Sequence, residues 1–223
     1  MMNLFSIFDP STSMMMALNW LSSLFLLMFF SSIYWFIPSR YNMFFFVILN
    51  FLVLEFKVLL NLKINNMNII IYISLFMMIL MNNFLGMFSY VFTSSSHLIF
   101  SLSMSLTLWI SMMLFGWINN LDHMFIHLVP QGTPSILMPF MVLIESISNI
   151  IRSGTLAVRL SANMIAGHLL MTLISSTGNS LNIILLIFML LAQSLLIILE
   201  LSVSIIQAYV FSVLSTLYSS EVN

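Results

Sequence analysis

Long apolar runs, broken by short polar interruptions, fill most of this chain. An α-helix rises ~1.5 Å per residue, so ~20 apolar residues cross a hydrocarbon core ~30 Å thick. Three runs predict such spans: 15–37, ending at Pro38, then 68–90, then 97–118 after the turn Thr93-Ser94-Ser95-Ser96. Trp20, Tyr34 and Trp35 lie near the ends of the first run, as aromatic residues do at membrane interfaces. Residues 41–62 are also apolar, but Asn42, Asn50, Glu55, Lys57 and Asn61 interrupt them. A Glu and a Lys near the middle of a span are costly in hydrocarbon, which favours an interfacial helix there; a further span is the simpler alternative. A polar loop is expected over 119–133, carrying Asp122, His123, His127, Pro130 and Gly132.

The last ninety residues follow a different pattern. Residues 134–173 contain no turn cluster, only Gly154 and Gly167, and residues 181–219 contain neither Gly nor Pro. Each stretch makes a helix of ~60 Å, about twice the thickness of a bilayer core. Each therefore hides two short spans, with a break at Ser153-Gly154 in the first, or is one long, strongly tilted helix. The second stretch lacks any break signal, which favours two tilted helices joined as an antiparallel hairpin by Ser175-Ser176-Thr177-Gly178-Asn179. The fold class predicted is an all-α integral membrane protein in a single membrane domain, with about five to six helices, the last two long.

Composition supports a membrane environment. Hydrophobic residues make up 61% of the 223 residues and charged residues only 5%, far below the ~25% of a typical soluble domain. A net charge of −1 provides no basic footprint for nucleic acid. The absence of Cys excludes disulfides and thiolate metal sites, and no metal or cofactor is expected. Residues 1–13 lack the basic region of a secretory signal and the Arg-rich character of a transit peptide. The 21 Met and 21 Phe, with many Ile, Asn and Ser, fit coding by an A/T-rich organellar genome. Arg40, Lys57 and Lys63 all lie between the first two true spans, which puts that side in the matrix or cytoplasm and the N-terminus with Asp9 opposite.

The chemistry is concentrated in two polar stripes. Positions seven apart lie ~20° apart around a helix. Glu145, Arg152 and Arg159 are spaced by seven, with Ser148 and Asn163 near the same line; Gln193, Glu200 and Gln207 repeat the spacing on the second long helix. Such stripes face each other, another subunit or a water-filled crevice, not lipid. Arg152 reads as a cation that snorkels to an interface or pairs with Glu145. Arg159, between Leu156-Ala157-Val158 and Leu160, has no such outlet, and an Arg held there costs ~2.5–3.5 kcal/mol on insertion scales. Guanidinium stays protonated, so it attracts a carboxylate yet passes no proton on, which suits a barrier between two proton paths. His168 and Glu200 are the candidate proton carriers, since a His titrates near neutrality and a Glu in a low-dielectric site is raised toward it. His168 follows Arg159 by nine residues, hence ~180° round the helix and ~13 Å along it, in a different compartment. His123 and His127 have the spacing of a metal pair but read better as loop polarity.

At these residues the chain resembles the subunit a family of mitochondrial F-type ATP synthases. The resemblance lies in Gly132-Thr133-Pro134, Leu137, Glu145, LAVRLSANMIAGHLL over 156–170 and LELSVSIIQAYVFSVLSTLY over 199–218. It implies a non-catalytic stator subunit that translocates protons through two offset half-channels against the c-ring, beside peripheral-stalk and other small Fo subunits and membrane lipids. In that likeness Arg159 is the stator arginine facing ring carboxylates and Asn163 its polar neighbour. His168 and Glu200 line the intermembrane-space channel, Gln207 stands opposite the arginine, and Glu145 belongs to the matrix-side half-channel. The implied location is the mitochondrial inner membrane, with the C-terminus in the matrix. Ser153 and Ser161 depart from the family's usual Pro and Thr. A haem-bearing redox subunit would need paired intramembrane His ligands, and only His168 lies deep. A self-sufficient transporter would show repeated halves or broken helices, and the sequence shows no such repeat.

Overall fold

A computed structural model describes residues 4–13, 16–25, 36–60, 66–88, 91–129, 134, 136–178 and 181–222. Short 3-10 turns form at Leu4–Phe8, Leu18–Leu24 and Ser94–Ser96. Among the described residues six α-helices follow from the apolar runs: α1 Arg40–Leu59, α2 Asn66–Gly86, α3 Leu98–Asn119, α4 Leu121–Leu128, α5 Met138–Thr177 and α6 Ile183–Val222. All but α4 are long and apolar enough to cross a membrane. The chain is an all-α membrane protein. Helix α1 begins where the Ser39 side chain accepts the Asn42 N–H at 3.4 Å, just after Pro38. It places Lys57 in its last turn, where a cation suits the helix dipole.

Three expectations change. Residues 15 and 26–35 of the run 15–37 lie outside the described residues, and within its described part Leu18–Leu24 forms a 3-10 turn. The region 119–133 is not wholly a loop, because Leu121–Leu128 forms a helix with Asp122 in its first turn. The sequence LDHMFIHL carries an apolar side at helical spacing, and an acidic first turn favours a helix start. The hairpin turn begins later than Ser175. The hydroxyls of Ser175, Ser176 and Thr177 donate to the carbonyls of Thr172, Leu173 and Ile174, so these residues stay inside α5.

Helices α5 and α6 each run 40 residues without interruption, so Ser153-Gly154 makes no break. Their pairings run antiparallel: Gly178 meets Met189, Gly167 meets Glu200, and Arg152 meets Glu221. The core lies between α2 and the C-terminal half of α6, closed by α1 and by the middle of α5. Phe56, Ile79 and Ala208 are fully buried there, with Phe211, Leu156 and Leu160 nearly so. The α6 side of this seam is built of small residues, Ser204, Ala208, Ser212, Ser215, Thr216 and Ser219, all buried. Small side chains let helix backbones approach closely, the main source of packing energy between helices in lipid. Their hydroxyls donate back to carbonyls of α6 itself, so the seam adds no unpaired donors. The N-terminal half of α6, by contrast, exposes Ile183, Ile184, Ile187, Phe188 and Leu195.

Candidate functional site

Helix α5 buries one face, Ser153, Leu156, Ala157, Leu160, Ser161 and Met164, at the 3–4 residue spacing of a packed helix side. Ser153 and Ser161 sit in that face, their hydroxyls bonded to the preceding turn, so neither departure from the family pattern disturbs the helix. The opposite face is exposed and carries Val158, Arg159, Ala162 and Ala166. Because the packing face fixes the rotation of α5, Arg159 points away from the described helices packed against it. The ion pairs among the described residues, Arg152 with Glu145 at 3.8 Å and with Glu221 at 3.3 Å, do not include it.

A cleft of about 260 Å³ opens between α5 and α6 beyond Arg159, lined by Asn163, Gly167, His168, Glu200, Met87 and Leu196, among others. Gly167 makes this meeting possible. A Cβ there would lie 2.6 Å from Glu200 Oε1, so only a glycine lets the carboxyl settle against the α5 backbone. Glu200 Oε1 is buried and has no hydrogen-bond partner among the described residues. A buried carboxyl oxygen without a partner is a place for a proton or a water. The structure thus brings together three of the predicted residues, Asn163, His168 and Glu200.

A second cavity, of about 420 Å³, lies toward the other end of the hairpin. Glu145, Arg152 and Glu221 form its polar side, and Trp109, Met112 and Trp117 its apolar side. Arg152 also lies 5.8 Å from the centre of the Tyr218 ring. The Glu145–Arg152 pairing was one of two sequence readings; Glu221 was missed. Its signal was its place near the end of α6, which an antiparallel hairpin returns to the start of α5.

Arg159 lines neither cavity. Along α5 it stands ~13 Å from His168 and ~21 Å from Glu145, between the two. The antiparallel register brings the half-buried Gln207 to about the same level as Arg159, within roughly one helical turn. Gln193, also half-buried, lies two turns before Glu200 and outside the cleft. His123 is exposed on α4, and no group of three metal-ligating side chains forms among the described residues.

A family model described as the ATP synthase A chain matches residues 11–220, nearly the entire chain. The chain belongs to the ATP synthase A chain family. Among curated members it is 61% identical to ATP synthase subunit a of Drosophila yakuba and 61% identical to that of Drosophila melanogaster, over 100% of both chains in each case. It is 56% identical to ATP synthase subunit a of Aedes aegypti over 225 aligned positions, again covering both chains fully. Membership in the A chain family agrees with the multi-helix membrane architecture and with the likeness carried by residues 130–218.

Proposed function

We propose that this chain is the proton-translocating membrane subunit of a mitochondrial F-type ATP synthase, working as a stator against a rotating c-ring. The observation that carries the reading is the position of Arg159. It is a permanent cation on the exposed face of a membrane helix, in no ion pair among the described residues, between two cavities that each hold a carboxylate. A buried or membrane-embedded charge is retained only for a partner or a function. Facing outward, its partner is on another subunit, and a ring carboxylate satisfies both its charge and its geometry.

The mechanism follows from the residues. Protons enter the cleft of His168 and Glu200, with Asn163 as a polar neighbour, and are handed to a ring carboxylate. The neutralised site then turns away through lipid. When a site returns from the other side, Arg159 favours its ionised form, and the proton leaves through the cavity of Glu145. The guanidinium blocks a direct leak because it gives up no proton at working pH. Gln207, at the level of Arg159, supports the polar gap there. One elementary charge moved across ~100 mV yields ~2.3 kcal/mol, so several protons are pooled through rotation for each ATP. The chain has no Gly-rich phosphate loop, and its part is transport rather than the synthesis step itself. In this reading it lies in the inner mitochondrial membrane, N-terminus in the intermembrane space and C-terminus in the matrix, beside the ring and peripheral-stalk subunits.

The test is Arg159→Lys in the assembled complex. Lys keeps the charge but loses the fixed fork and gives up its proton when desolvated. Proton-driven ATP synthesis should fall below detection while the complex still assembles; near-normal synthesis would overturn the assignment. Glu200→Gln should slow proton delivery at least tenfold with assembly unchanged, the order of a lost proton-transfer group.

A further inference from the structure

The N-terminal turn Leu4–Phe8 packs against α5. Its last residue, Phe8, sets the edge of its ring against the imidazole of His168, with centroids 6.4 Å apart. The turn is tied down from the far side as well. The side-chain amide of Asn19 donates to the Asp9 carbonyl at 3.1 Å. The 3-10 turn bearing Asn19 is itself docked, because Ser22 Oγ donates to the Phe92 carbonyl at 3.0 Å and Trp20 packs on Phe92 and His97. The segment is therefore held over the one imidazole that lines the cleft. The residue that follows Phe8, one Cα step of ~3.8 Å away, is an exposed carboxylate, Asp9. Both the N–H and the hydroxyl of Ser11 donate to its Oδ1, at 3.0 and 2.7 Å. The backbone bond above all holds the carboxyl below the usual carboxylate range, so it stays ionised in water.

We propose that Leu4–Phe8 is a cap on the proton entrance over His168, and that Asp9 at its end is a proton-collecting carboxylate that raises local proton activity at the mouth. The inference rests on the reading of the His168–Glu200 cleft as the entry path. A unit charge acting over ~8 Å of water changes local proton activity roughly two- to threefold, an effect that salt screens. The titratable groups on the elements around Asp9 are His168 below Phe8, Glu200 across the cleft and His97 against Trp20.

The assembled complex in sealed vesicles tests this by ATP synthesis measured against proton concentration on the entry side. Asp9→Asn keeps an oxygen that accepts the Ser11 bonds. It should raise the apparent KM for protons about two- to threefold with an unchanged maximal rate. The difference should vanish near ~1 M salt, where the screening length is ~3 Å, and Asp9→Glu should restore the original KM. Phe8→Ala should speed the carbethoxylation of His168, followed by mass spectrometry, several-fold. An unchanged KM in Asp9→Asn, a deficit that survives high salt, or unchanged His168 modification in Phe8→Ala overturns the proposal. If Arg159→Lys and Glu200→Gln lose synthesis while these variants behave as wild type, only the cap fails. If those two variants are normal, the entry reading fails with it.

Discussion

Gly167 shows how a single missing side chain sets up the cleft of His168 and Glu200. The Cβ that alanine would add meets Glu200 Oε1 at 2.6 Å and its carboxyl carbon at 3.0 Å, so the carboxyl must move. Gly167→Ala should therefore lower proton-driven synthesis severalfold while assembly persists, since helix propensity itself favours alanine. A rate equal to wild type would show that Glu200 needs no such seat. The sequence made the chemistry at this scale legible through cost: an Arg or Glu amid Leu and Ile is expensive in a membrane and so singles itself out. Gly167 and Phe8 were not legible, because a glycine or a phenylalanine in an apolar run costs nothing that a pattern records. Their roles depend on which helix lies opposite.

The long helices were legible for the same physical reason that makes them stable. In lipid every backbone group must be satisfied within the segment, so an unbroken apolar run without Gly or Pro has little choice but a helix. The helix at Leu121–Leu128 was harder to see, since eight residues carry too few turns for a periodic signal among polar residues. Which helix packs on which also had to come from the structure. The seam of small residues on α6 has a register set by the shape of α2, not by its own hydropathy. Ala208 is fully buried in that seam. Ala208→Leu should destabilise the helix pair by about 1–3 kcal/mol, the usual cost of overpacking, seen as loss of the assembled subunit after mild heating. Unchanged thermal retention would place the seam's tolerance well above that of a close-packed interface.

Across the whole molecule, one flank is finished and another is open. Arg152 pairs with Glu145 within α5 and with Glu221 at the end of α6, but the three side chains are 41%, 35% and 57% exposed. Pairs so exposed contribute at most about 1 kcal/mol. Glu221→Gln should leave assembly and thermal retention unchanged, and a clear loss would mean that this cluster is drier in the complex. The flank with Val158, Arg159, Ala162 and Ala166 is open by contrast. The chain has no Cys, so Ala162→Cys gives a clean probe. Oxidation should join it to a cysteine placed beside the ring carboxylate, and failure to cross-link from any ring position would remove this flank from the ring interface.

The length of the hairpin has a geometrical outcome of its own. A rod of ~60 Å confined to a slab of ~30 Å leans by about 60° and travels roughly 50 Å sideways between the two leaflets. The cavities of Glu145 and His168, ~34 Å apart along α5, are then displaced along the membrane plane as well as across it. On the proposed reading, a carrier that loads at one and unloads at the other must move laterally, always in the same rotational sense for a given direction of flow. If that reading holds, the slant of two helices is enough to make a downhill gradient into a torque with a handedness.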